Sequence, residues 1–151
     1  MKRLTLAGLF VALAAVLAAG CGGGGSKTLS KADYGTKLNQ ICADLNAKNK
    51  EIGEPSSIAD IADKGPQLLD EFDKAIAGAK NLKAPDELKD AADRFISLGE
   101  QQRDLISQLV DAAKANDEAK INELGPKLDP LDKESNAIAK DQLGAPACAQ
   151  G

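Results

Sequence analysis

Three cysteines hold the most distinctive chemistry of this 151-residue chain: Cys21, Cys42 and Cys148. A thiol can be acylated, oxidised to a disulfide, used as a metal ligand or activated as a nucleophile. The last two uses usually draw on histidine, as a second ligand or as a general base, and the chain has no histidine. No C-x-x-C pair is present either. We therefore expect no catalytic residue and no metal site.

Carboxylates are numerous, and close pairs such as Asp60 with Asp63 and Asp129 with Asp132 are the next candidates for chemistry. A di-metal site in a helical bundle needs Glu-x-x-His motifs, and a calcium loop needs a twelve-residue acidic pattern. The sequence contains neither. We interpret these acids as solvated helix faces.

The surroundings of Cys21 are typical of an export signal. The basic pair Lys2-Arg3 precedes an apolar stretch over residues 4–17, and small residues follow up to Cys21. From Leu4 to Ala19 the apolar run is about 16 residues, shorter than the roughly 20 that span a bilayer as a helix. A cleaved signal peptide over 1–20 is the prediction, and an uncleaved anchor is the alternative.

The segment Ala18-Ala19-Gly20-Cys21 resembles the lipobox of bacterial lipoproteins, with alanine at position 18 where leucine is usual. The resemblance implies that Cys21 receives a diacylglyceryl group, with palmitate among the acyl chains and with or without an N-acyl chain. Apart from that covalent lipid we expect no cofactor. The lipid would hold the protein at the outer face of the cytoplasmic membrane, or in the outer membrane of a two-membrane envelope, because several acyl chains anchor stably where one does not. An unmodified secreted form is the alternative.

The net charge of the mature chain excludes some classes of partner. The chain has 19 Lys and Arg against 23 Asp and Glu; removing Lys2 and Arg3 with residues 1–20 leaves 17 against 23, a formal net charge of −6. An acidic domain is unsuited to nucleic acid and to anionic lipid headgroups. We predict membrane contact through the acyl chains alone, and no nucleic acid partner.

Cys42 and Cys148 remain once Cys21 is lipidated. In an oxidising compartment such a pair is usually a disulfide, although two free buried thiols remain an alternative. Cys42 lies about 17 Å along the first helix at 1.5 Å per residue. Residues 144–148, if extended, cover about 15 Å back from the end of the last helix. These two distances along the bundle axis are similar, so Cys42 and Cys148 should lie at the same level, and a Cys42–Cys148 disulfide is predicted.

Apolar residues recur at helical spacing in four segments joined by short turns. They run from Ser30 to Gly53, from Ser56-Ser57 to before Ala84, from Pro85 to about Ala115, and from Asp117 to Leu143. We expect a kink or break at Lys64-Gly65 ahead of Pro66, and a kink before a firm helix from about Pro130. The predicted fold is all-α: an antiparallel four-helix bundle over 29–151, after the signal peptide and a lipidated, Gly-rich flexible tether over 21–28.

The domain also resembles a loosely defined group of small, uncharacterised bacterial lipoproteins and secreted helical proteins. The matching residues are Ile41-Cys42-Ala43 with Asn46, Ala84-Pro85, Leu143-Gly144 and Cys148-Ala149. The resemblance implies the helical fold and the disulfide, and it implies no activity.

Gln102 and Ser135 stand out because each is a polar residue on the apolar face of its helix. Buried polar residues can form a hydrogen-bonded layer that fixes helix register, or they can line a small polar pocket that holds a ligand. We favour the first interpretation. The expected function is a non-enzymatic, lipid-anchored binding or structural module with an envelope protein as its partner; the alternative is a small-molecule carrier or sensor that uses the bundle interior around Gln102 and Ser135.

Overall fold

The computed structural model describes residues 28–150, which form an all-α, antiparallel four-helix bundle. No strand occurs within this range. The α-helices are α1 (Lys31–Ile52), α2 (Ile58–Asn81), α3 (Lys89–Lys114), α4 (Glu118–Leu124) and α5 (Leu128–Ala137). Helical turns of other types cover Asp86–Leu88, Gly125–Lys127, Ile138–Gln142 and Pro146–Ala149. Helices α4 and α5, with the turn between them, make up the fourth arm of the bundle.

The helix ends follow from local sequence. Ser30 Oγ accepts a hydrogen bond from the Asp33 N–H at 3.1 Å, and Ser57 Oγ accepts one from the Asp60 N–H at 3.1 Å. Asp117 caps α4 in the same way, through the Lys120 N–H at 2.9 Å. Gly53 ends α1 with φ of 82°, a conformation that favours glycine. The predicted segment ends at Ser30, Gly53, Ser57 and Asp117 are confirmed.

Pro66 does not break α2, so of the kink or break expected at Lys64-Gly65, the break is wrong. The helix runs without interruption from Ile58 to Asn81. A proline in a helix interior costs about 3 kcal/mol. Here α2 packs against α3 more extensively than any other pair of elements does, and that burial offsets the local cost.

The two later prolines are accommodated without entering a helix interior. Pro126 lies in the 3-10 turn Gly125–Lys127, which separates α4 from α5. Pro130 is the third residue of α5, where a backbone N–H has no helical partner in any case. A 3-10 turn thus interrupts the fourth segment where the kink was expected, and α5 begins two residues before Pro130.

The fourth arm does not close the bundle by direct packing on α1. Helix α2 packs against both α1 and α3, and α5 packs against α3, but contact between α1 and α5 is sparse. Residues 144–149, here named the C-terminal strap, turn back from Gly144 (φ of 67°) and lie against α1 and α5. The strap therefore fills the seam between the first helix and the last.

The predicted disulfide is confirmed. Cys42 in α1 is bonded to Cys148 in the strap, with Cα atoms 4.9 Å apart and a sequence separation of 106. Residues 1–27 and 151 lie outside the described residues, and with them the predicted signal peptide, Cys21 and the glycine run. None of the helices described is both long and apolar enough to cross a membrane.

Candidate binding site

A cavity of about 240 Å³ lies inside the bundle, between α1, α2, α3 and α5. Its wall is mainly apolar because each of these helices turns its hydrophobic face inward. The apolar wall residues include Ile41, Leu45, Phe72, Ile76, Phe95 and Ile106. The cavity is open to solvent on one side, and several of its wall residues, among them Ile41, Phe72 and Phe95, are half-buried.

A small polar cluster interrupts this apolar wall. Gln102 of α3 and Ser135 of α5 are only 8% and 6% exposed, and the Gln102 Nε2 lies 3.5 Å from the Ser135 Oγ. Gln102 Nε2 also donates to Asp132 Oδ1, and Ser135 Oγ donates to the Asp132 carbonyl oxygen at 3.2 Å. The structure thus brings together the two polar residues that the sequence singled out, and adds Asp132 to them.

Asp132 differs from the acids on solvated helix faces. Its side chain is exposed on one side, yet it forms part of the cavity wall and accepts a hydrogen bond from a buried amide. Partial burial raises the pKa of the Asp132 carboxyl; the Gln102 hydrogen bond opposes this rise and the nearby Asp129 charge adds to it. Asp132 therefore lies where the cavity meets solvent.

Other than the disulfide-bonded cysteines, Asp132 is the one side chain that can ionise among the wall residues of this cavity. No lysine or arginine of the described chain lines it. The remaining polar wall residues are uncharged: Asn46, Asn49, Gln102, Ser135 and Asn136. The cavity combines an apolar interior with a single negative charge at its edge.

Asn49 provides an unused hydrogen-bond acceptor. Its Oδ1 atom is buried and has no hydrogen-bond partner. A buried polar atom left unpaired costs about 1–3 kcal/mol, and native structures contain few of them. Asn49 belongs to the cavity wall, but this oxygen has no exposed surface and so does not face the open space of the cavity.

The C-terminal strap forms one side of the site. Cys42 and Cys148 both belong to the wall, so the disulfide itself borders the cavity. Ala147 of the strap donates its N–H to Asn39 Oδ1 and accepts from Asn46 Nδ2, both at 2.8 Å. These bonds hold the strap over the seam between α1 and α5.

Sequence reasoning missed Asp132 and Asn49 as wall residues, although spacing offered a signal for both. Asp132 is three residues before Ser135 and so shares its helix face. Asn49 lies seven residues after Cys42, about two turns along the same face of α1. The earlier interpretation of Asp132 as a solvated acid holds for one side of its carboxylate and not for the other.

Within residues 28–150, no group of three or more cysteines and carboxylates is arranged to hold a metal ion. The chain matches no protein-family model, no curated protein and no solved structure.

Proposed function

We propose that this protein is a lipid-anchored, non-catalytic binding module of the bacterial envelope that holds a small molecule inside its helical bundle. The observation that carries the proposal is the cavity of about 240 Å³ between α1, α2, α3 and α5. Ligand sites in helical bundles are commonly built in this way, from side chains on facing helices.

The polar cluster lies in the wall of this cavity. Gln102, Asp132 and Ser135 contact one another there, and Asp132 also reaches solvent. Polar groups that converge at the edge of an apolar cavity support a binding site, in addition to any role in fixing helix register.

The anchor part of the proposal rests on the Ala18-Ala19-Gly20-Cys21 lipobox resemblance. Its test is Cys21→Ser in the full chain, followed by membrane fractionation and mass measurement. We expect the wild-type protein to carry the acyl mass and to sediment with membranes, and the variant to do neither. A variant that sediments with membranes as the wild type does would contradict the lipid anchor.

The cavity part is tested by filling the cavity. A Cβ added at Gly99 would lie 3.6 Å from Ile76 Cγ1, an ordinary contact, and Gly99 is part of the wall. Gly99→Leu should therefore occupy the cavity. Gly125→Leu is the matched control, because a Cβ there meets nothing within 4 Å.

The measurement is the thermal unfolding midpoint of each mature protein in phospholipid nanodiscs, with and without a small-molecule extract of bacterial envelopes. Binding to the folded state raises the midpoint. We expect the extract to raise it for the wild type and for Gly125→Leu, and to leave Gly99→Leu unchanged. No rise for the wild type, or an equal rise in all three proteins, would contradict a ligand in the bundle interior.

A further inference from the structure

We infer that the molecule held in the cavity is a small amphipathic amine, with an apolar body inside the bundle and a single positive charge at Asp132. The inference rests on the proposed function and specifies the ligand class for the same cavity. Three features of the wall carry it: its charge, the open acceptor atom of Asp132, and the size of its apolar part.

Charge selects a cation. Among the described residues, Asp132 is the one ionisable wall residue outside the disulfide. An anionic ligand would face this carboxylate without any lysine or arginine in the wall to compensate, which is unfavourable in a partly desolvated site. An ammonium group would form a charge-assisted hydrogen bond, the stronger kind.

The position of Asp132 suits a charged head group. Complete burial of an ion pair is expensive because both ions lose their hydration. Asp132 keeps one side in solvent while its neighbour Gln102 is buried. An ammonium group at this edge would stay partly hydrated while the rest of the molecule enters the apolar interior.

Asp132 keeps one acceptor atom open at the edge of the cavity. Gln102 Nε2 occupies Asp132 Oδ1, and no described residue donates to Asp132 Oδ2. An ammonium group has three donors and no acceptor, so it can donate to this open oxygen.

The apolar part of the cavity wall limits the size of the ligand's apolar body. Phe72 and Phe95 contribute aromatic rings, and Ile41, Leu45 and Ile76 contribute branched aliphatic surface. A dry cavity of about 150 Å³ takes up benzene, so a cavity of about 240 Å³ accommodates a body of roughly ten non-hydrogen atoms.

The test compares a cation with neutral and anionic molecules of similar shape. The probes are benzylamine, 2-phenylethylamine and tryptamine, their corresponding alcohols, and 3-phenylpropionate. Binding is measured by equilibrium dialysis against the mature lipidated protein in phosphatidylcholine nanodiscs, with empty nanodiscs subtracted. The proteins are the wild type, Asp132→Asn and Asp129→Asn.

Asp132→Asn removes the charge and keeps an oxygen that can accept from Gln102 Nε2, so it should fold. Asp129→Asn is the matched control, since it removes a neighbouring acid that is not part of the wall. We expect at least one amine to bind the wild type about tenfold more tightly than its alcohol. We expect this preference to vanish in Asp132→Asn and to persist in Asp129→Asn.

The outcomes separate this inference from the proposed function. Alcohols that bind the wild type as well as the amines, or 3-phenylpropionate that binds better, would overturn the assignment of a cation and leave the cavity as a binding site. A preference for amines that survives in Asp132→Asn would overturn the role of that carboxylate. Absence of binding by every probe would overturn both the cation and the proposed function.

Discussion

Asn39 and Asn46 lie about two turns apart on one face of α1 and bind opposite sides of the same residue, Ala147. The Asn39 Oδ1 accepts the Ala147 N–H, and the Asn46 Nδ2 donates to the Ala147 carbonyl oxygen, each at 2.8 Å. The disulfide between Cys42 and Cys148 lies between these two hydrogen bonds on α1. The C-terminal strap is thus fixed at three successive levels of the helix, and it forms one wall of the cavity.

Removing the disulfide should lower the free energy of unfolding substantially. The bond closes a loop with a sequence separation of 106 residues. Because it reduces the entropy of the unfolded chain, a loop of this length is expected to stabilise the folded state by about 4–5 kcal/mol. The variant is Cys42→Ala with Cys148→Ala, and the measurement is pulse proteolysis of the mature protein in urea. A loss below about 1 kcal/mol would mean that the disulfide does not restrict the unfolded chain as described.

Two buried or partly buried helix glycines should respond in opposite directions to alanine. At Gly99 a Cβ makes an ordinary contact, so Gly99→Ala should gain about 0.5–1 kcal/mol from helix propensity. At Gly65 a Cβ would overlap Val110 Cγ2, so Gly65→Ala should lose about 1–3 kcal/mol by overpacking.

Urea unfolding of both single variants tests this contrast, and Val110→Ala in the Gly65→Ala background tests its cause. We expect the double variant to lose less stability than the sum of its two single changes, because the second change removes the clashing methyl. Additive losses would show that Val110 does not limit the space at Gly65.

Helix ends and polar positions on apolar faces could be predicted from the sequence because they depend on neighbouring residues. Ser30, Ser57 and Asp117 cap their helices through hydrogen bonds to residues three positions on. Gln102 and Ser135 each occupy an apolar face, and packing two such faces together brings them into contact. At these positions the structure that the local sequence favours is also the one that the packed bundle adopts.

Features that depend on contacts distant in sequence could not be predicted in this way. Asn46 and Ala147 are 101 residues apart, and nothing in the local pattern of α1 indicates their hydrogen bond. Pro66 indicated a break, but the extensive packing of α2 on α3 outweighs its local cost. The cavity likewise exists only where four helices pack together. Asp132 becomes part of its wall because α3 packs against α5.

Asp132→Asn should change how stability depends on pH. Burial raises the pKa of Asp132 in the folded protein, so the folded state holds this proton more tightly than the unfolded state. Its contribution to stability is therefore present below the ordinary pKa of an aspartic acid, and is lost as pH rises through the folded pKa.

We accordingly expect Asp132→Asn to be more stable than the wild type near pH 7, with the difference shrinking in acid. Taking the difference between the two proteins cancels the titration of the other carboxylates. Urea unfolding at pH 7 and pH 4 measures it. A difference that grows in acid would contradict the direction assigned to this pKa.

The Gln102→Leu variant tests whether Gln102 contacts a ligand or only fixes helix register. The partners of Gln102 have other ways to be satisfied, because Asp132 is partly in solvent and Ser135 Oγ already donates to the Asp132 carbonyl. We expect the free energy of unfolding to change by no more than about 1 kcal/mol, while ligand binding measured by dialysis is lost. A loss of several kcal/mol would instead favour the layer that fixes helix register.

The most direct test of a ligand in the bundle interior is the intact mass of the protein taken from its own membranes under native conditions. Wild-type protein in nanodiscs should release, in native mass spectrometry, a species heavier than the lipidated polypeptide by the mass of one small molecule. Gly99→Leu, prepared in the same way, should lack that added mass while Gly125→Leu retains it. If wild type and Gly99→Leu both appear at the mass of the lipidated polypeptide alone, the cavity does not hold a ligand in the cell.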